Sequence, residues 1–220
     1  MSESISADEF LDRKRDFSPL LVHLTKADET CSAKDVLKTI LNERTLKAFS
    51  HFCLFSPALR DSKDDSLQKK FKVVCFTETP IDQIDVLLME VQGRNIKPEP
   101  YGLVFKKDYI KERGGNPVFY MTKEIATPLW ELYRALKGTQ SPSEACKLLA
   151  LVTLCDQTMD FHWEREWRIV GNLEFGLDDI YCGLCRQEDI AYFEAAYKPV
   201  RFISPYWGIN KILDRLVGKQ

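Results

Sequence analysis

Three short stretches set polar side chains among apolar ones, and each carries groups able to act on a ligand. In Leu20-Leu21-Val22-His23-Leu24-Thr25, strand alternation puts His23 and Thr25 on one face with Leu21, and leaves Leu20, Val22 and Leu24 as a wholly apolar opposite face. In Val73-Val74-Cys75-Phe76-Thr77-Glu78-Thr79 the same alternation groups Cys75, Thr77 and Thr79. In His162-Trp163-Glu164-Arg165-Glu166-Trp167-Arg168-Ile169 it groups His162, Glu164, Glu166 and Arg168 against Trp163, Arg165, Trp167 and Ile169. Two carboxylates two residues apart on one strand face can touch the same ligand, and their repulsion makes it costly to keep both ionised in a dry site. Such pairs suit glycosidic chemistry: one stabilises an oxocarbenium-like transition state and the other activates or guides the attacking group.

Each stretch also has a plainer reading. His23 reads equally as a satisfied core histidine, and Thr77 and Thr79 as ordinary strand formers. Glu164 and Glu166 read as a solvated face paired with Arg168, an arrangement that contributes little on a surface. The two tryptophans opposite the carboxylates favour a strand anchored in the core. Cys182-Gly183-Leu184-Cys185 is half of a zinc site without a second pair, so structural thiols are expected and no metal. Gly114-Gly115 lacks the Lys-Ser/Thr of a phosphate loop and reads as a turn. The basic clusters Arg13-Lys14-Arg15, Lys69-Lys70-Lys72 and Lys106-Lys107 read as solvated faces or, with nothing in their pattern that demands it, as guides for RNA phosphates.

The elements that must position these residues follow from apolar periodicity and turn signals. Strands are expected over 20–25, 71–77, 102–106, 117–121, 164–171, 180–184 and 201–203. Helices are expected over 33–42, 108–113, 127–136, 142–155, 189–197 and 210–217, with another carrying Ile81, Ile84, Leu87, Leu88 and Val91. Residues 60–70, rich in charge, read as a flexible loop. Strands and helices mix without steady alternation, which predicts an α+β fold rather than a doubly wound sheet.

With 220 residues and 45% apolar composition, the chain suits one core. The division expected is a polar segment over 1–18 and a single domain over 19–220. A net charge of -2 from 31 basic and 33 acidic residues gives no bulk sign of nucleic-acid binding. Seven cysteines, among them Cys53, Cys75, Cys146 and Cys155 in apolar runs, point to buried reduced thiols. The acidic start lacks the apolar centre of a secretory leader, and no run approaches the length of a membrane span, so a cytoplasmic location is expected.

The order of a His strand, a Thr-x-Thr strand and a Glu-x-Glu strand resembles the ADP-ribosyltransferase superfamily. Within it the chain is similar to the AbiGi-like abortive-infection proteins, phage-defence toxins of the toxin–antitoxin–chaperone type. The phrases Leu21-Val22-His23-Leu24-Thr25, Val74-Cys75-Phe76-Thr77-Glu78-Thr79-Pro80 and Trp163-Glu164-Arg165-Glu166-Trp167-Arg168 carry the likeness. The resemblance implies a split β-sandwich with flanking helices and NAD as substrate. It implies that His23, with Thr25 beside it, contacts the ribose or phosphate of NAD, and that Thr77 and Thr79 brace the cleft and orient the catalytic glutamate. Glu166 would hold the nicotinamide ribose and stabilise the oxocarbenium, Glu164 would position or deprotonate the acceptor, and residues 156–161 would form the recognition loop. It further implies a macromolecular acceptor, RNA in a phage-defence setting, and a neutralising antitoxin. A protein acceptor, or water, stays open. His23 stands where the toxins of this superfamily carry an arginine, and Glu78 where they carry a small hydroxyl residue. The rival from another class is a non-catalytic module that uses the same fold to hold a partner protein.

Overall fold

The computed structural model describes residues 17–27, 30–49, 53–61, 65–89, 97–137, 145–155 and 162–217. Strand β1 (Leu20–Leu24) follows Pro19, and helix α1 (Ala33–Glu43) follows Ser32, whose Oγ accepts the Asp35 backbone N–H at 3.1 Å as an N-cap. Arg44 ends α1 by turning left-handed, at φ 55. Next come β2 (Thr45–Leu46), α2 (Ser56–Arg60), α3 (Asp65–Phe71) and β3 (Val73–Thr77). A 3-10 turn at Ile81–Gln83 runs into α4 (Ile84–Leu87), followed by β4 (Gly102–Lys106), α5 (Lys107–Glu112), β5 (Asn116–Pro117) and β6 (Phe119–Met121). Then α6 (Lys123–Lys137), α7 (Ala145–Ala150) and β7 (Val152–Leu154) precede a 3-10 turn at His162–Glu164 and β8 (Glu166–Val170). The chain closes with β9 (Leu173–Glu174), β10 (Ile180–Leu184), α8 (Ile190–Ala196), β11 (Phe202–Ile203) and α9 (Ile209–Leu216). The mixture is α+β, as the patterning predicts, and the strand pairing is mostly antiparallel.

Four expectations are corrected. The stretch 60–70 is not simply a loop: α3 forms because Leu67 and Phe71, one helical turn apart, are both fully buried and outweigh the surrounding charge. The helix expected over 142–155 stops at Ala150, and the β-branched Val152 and Thr153 enter β7, paired in parallel with β6. The strand expected over 117–121 breaks at Val118, so that β5 pairs with β8 while β6 pairs with β7. The strand expected from 164 begins only at Glu166. The expected positions at Val91, at 141–143 and at 156–161 lie outside the described residues.

The stretch expected as one domain groups into two compact units, each drawn from separated segments. The first comprises Met1–Leu37, Glu78–Asp108 and Leu177–Gln220. Its strands lie in the order β11-β10-β4-β1, with β10 and β11 parallel and the other neighbours antiparallel. Val22, Val104, Cys182, Leu184 and Ile203 from the strands bury against Ile84, Leu87 and Ile212 from α4 and α9. Gly102 lets β4 approach β1 closely: a Cβ there would stand 2.3 Å from the His23 carbonyl oxygen.

The second unit comprises Lys38–Thr77 and Tyr109–Gly176. Its strands are ordered β3-β8-β5, with separate pairs β6–β7 and β2–β9. Its core gathers α2, α3, α6 and α7 around Phe55, which stacks on Tyr133 at 4.7 Å between ring centroids and meets Trp130 and Phe71 edge-on. Such aromatic pairs add about 0.5–1.5 kcal/mol beyond the area they bury. Among the described residues no helix is long and apolar enough to cross a membrane.

Candidate active site

In the second unit β3 and β8 run antiparallel with Thr77 opposite Glu166 and Cys75 opposite Arg168. Directly opposite residues point to the same face, so four polar side chains converge there. Arg168 is the largest of them and is only 1% exposed. Its Nε donates to Glu166 Oε1 at 2.9 Å and its Nη2 to Oε2 at 2.8 Å, a two-point grip on the carboxylate. Nη1 donates to the Ala150 carbonyl at the end of α7 (3.0 Å), and Nη2 also reaches Thr153 Oγ1 on β7 (3.0 Å). Burial works against the Arg168 charge, but the Glu166 carboxylate overrides it and holds the guanidinium proton more firmly than usual. The Glu166 side chain keeps 14% of its surface open. A carboxylate has about four lone-pair sites, so Arg168 leaves acceptor capacity on each oxygen.

The chain just before Glu166 is bent. Arg165 sits at φ 46, a left-handed conformation that costs a non-glycine residue roughly 1–2 kcal/mol. Its backbone N–H donates to the His162 carbonyl at 3.1 Å, closing the 3-10 turn that contains Glu164. The expected sharing of one strand face by Glu164 and Glu166 is therefore corrected: a turn, not strand alternation, relates them. Trp163, expected to anchor the opposite face, is 41% exposed, whereas Trp167 is buried. What does link the two glutamates is Thr77, whose hydroxyl donates to the Glu164 carbonyl at 2.6 Å while its residue pairs with Glu166.

Cys75 lies in the same face. Burial, and next the Glu166 charge, push its thiol well above the usual range, so it is a protonated neighbour rather than a nucleophile. Tyr120 on β6, paired in register with Thr153, buries its hydroxyl near the Glu166 backbone. Burial raises this phenol above its ordinary range, and the Glu166 charge adds to the effect. The His162 ring stacks on Tyr120 at 4.6 Å, and its Nδ1 stands 3.3 Å from Cys155 Sγ.

The structure thus brings together Thr77, Glu164 and Glu166 in the second unit. His23, Thr25 and Thr79 belong to the first. His23 is half-buried on β1 opposite Leu103. Thr25 lies past the strand end, and its buried hydroxyl is within reach of the Ala33 carbonyl at 3.0 Å and the Tyr101 carbonyl at 3.1 Å. That environment satisfies the hydroxyl locally. Strand β3 ends at Thr77, so pleat alternation does not extend to the buried Thr79. Glu78 between them is buried and ion-paired with Lys107 at 2.8 Å.

In the sequence Arg168 stands as a surface partner of the carboxylates and as the end of the third motif, Cys155 as a buried thiol, and Tyr120 and Thr153 carry no site role. Arg168 offered one signal, its alternation with the buried Trp167 and Ile169. Tyr120 and Cys155 offered none, because β6 and β7 meet through a parallel pairing that no turn motif announces. Of the cysteines expected to be buried, Cys53 and Cys146 are, whereas Cys75 and Cys155 are half-buried. Among the described residues no group of three His, Cys, Asp or Glu side chains is placed to hold a metal ion. Comparison with protein-family profiles, with curated proteins and with solved structures finds no match.

Proposed function

We propose that the chain is an NAD-dependent ADP-ribosyltransferase of the split β-sandwich class, with Glu166 as its central carboxylate. The observation that carries this reading is the double use of Thr77, which pairs in register with Glu166 and donates to the carbonyl of Glu164. This contact supports the bracing role that the motif order leads one to expect of the hydroxyl strand, through the backbone of the segment that leads into Glu166. In this reading the C–N bond between ribose and nicotinamide breaks with its electron pair leaving on nicotinamide. Glu166, oriented by Arg168, faces the positive charge left on the ribosyl carbon. Glu164 positions the acceptor and takes its proton as the acceptor bonds to this carbon. The strained Arg165 between the two glutamates supports a functional site, because such strain persists where the surroundings enforce it. His23, Thr25 and Thr79 enter the reading through motif order alone. RNA as acceptor, a neutralising antitoxin, a role in phage defence and a cytoplasmic location rest on the sequence resemblance.

A rival reading draws on the grip of Arg168 on both Glu166 oxygens: the pair is a structural clasp, and the chain is a binding module without turnover. Nicotinamide release from NAD, with and without total cellular RNA, separates the two. The enzyme reading expects release that rises with RNA, falls about 100-fold or more in Glu166→Gln, and in Glu164→Gln loses only the RNA-dependent part. No release from folded wild-type protein, or unchanged release in Glu166→Gln, leaves the module.

A further inference from the structure

Cys155, at the end of β7, and His162, in the turn before β8, have no part in the chemistry above. Sγ and Nδ1 are 3.3 Å apart, a distance at which a thiol donates its proton to an imidazole. The ring is held in that position by its stacking on Tyr120, with 4.6 Å between centroids and 30° between planes. Among the described residues Tyr120 faces the imidazole from β6, and it lies in the fields of Glu166, Glu164 and Arg168. Cys155 is half-buried and His162 exposed, and the contact between them lies on the exposed side.

The other thiols differ. Cys53, Cys146, Cys182 and Cys185 are buried, and burial pushes Cys185 up to about 12. Cys75 is pushed well above the thiol range by burial and then by Glu166. Cys31 is exposed and serves as an ordinary reference.

We propose that Cys155 and His162 form a reactive thiol–imidazole pair, a modification site for small disulfides of the glutathione class. The imidazole takes the proton from Sγ, and the thiolate attacks one sulfur of the disulfide. A bond forms between Cys155 and that sulfur as the reagent's own S–S bond breaks. The electron pair leaves on the second sulfur, which takes the proton back from His162. Cys155 is oxidised, half of the reagent is reduced, and no other oxidant takes part. The proposal stands on the pair's own geometry and is independent of the reading at Glu166.

The test uses the full chain and dithiobis-nitrobenzoate at about pH 6, where an ordinary thiol is almost wholly protonated. The labelled cysteine is located by peptide mass. The thiolate is the attacking species, so transfer of the Cys155 proton to His162 raises the rate at a pH where other thiols stay protonated. Cys155 is therefore expected to react about tenfold faster than Cys31. The fast phase disappears in Cys155→Ser, and His162→Gln slows Cys155 to about the Cys31 rate. Oxidised glutathione then adds its mass at Cys155 in the wild type. First labelling of any other cysteine in the wild type, an unchanged rate in His162→Gln, or failure of glutathione to add would each overturn the proposal. The wild-type map requires no variant to fold.

Discussion

At the scale of single residues, the Glu166–Arg168 pair sets the terms for any experiment on the site. Removing one partner of a buried pair leaves an uncompensated charge, at a cost of about 3–5 kcal/mol. Glu166→Ala strands the Arg168 guanidinium, which is 1% exposed, and should lose stability of that order in urea unfolding. Glu166→Gln keeps an acceptor oxygen for the guanidinium and should unfold between the two. If Glu166→Ala unfolds at the wild-type urea concentration, the clasp is not what holds Arg168. Lost activity in Glu166→Ala alone is thus ambiguous, and the glutamine variant is the better probe. That Glu166 stands on a strand anchored in the core was legible from the tryptophans opposite the carboxylates, of which Trp167 is the buried one. The place of Glu164 was not, because an arginine at φ 46 looks in sequence like any strand residue.

At the scale of elements, β4 and β10 fall where the apolar runs put them, because both are five-residue runs whose side chains are mostly buried. The stretches read wrongly are those where local composition and distant packing disagree. Charge around Leu67 and Phe71 suggested a loop, yet two anchors one turn apart suffice to seat α3 on the core. Val152 and Thr153 continued a helical pattern, yet β6 offered them a partner strand. The close approach of β4 to β1 gives a test at this scale. Gly102→Ala places a methyl group 2.3 Å from the His23 carbonyl oxygen, and one strand must shift. A loss of about 1–3 kcal/mol is expected in equilibrium unfolding, the usual cost of overpacking. A neutral Gly102→Ala would mean that β1 yields without strain around His23.

At the scale of the whole molecule, each unit is assembled from segments far apart in the chain. Strand β4 has a partner on either side, β1 and β10, and Leu103, Val104 and Phe105 within it are fully buried. Native-state hydrogen exchange should therefore find these three amides among the slowest, and those of Thr45 and Leu46 in β2, Asn116 in β5 and Leu173 and Glu174 in β9 much faster. Faster exchange in β4 than in β5 would contradict its central place in the first unit. The same arrangement has a consequence in time. Strand β10 lies about eighty residues after β4. At a synthesis rate of about 5–20 residues per second, β4 leaves the ribosome roughly 4–16 s before its second neighbour exists. During those seconds a nascent chain carries an apolar strand with one edge unpaired, open to capture by a chaperone or by another nascent chain.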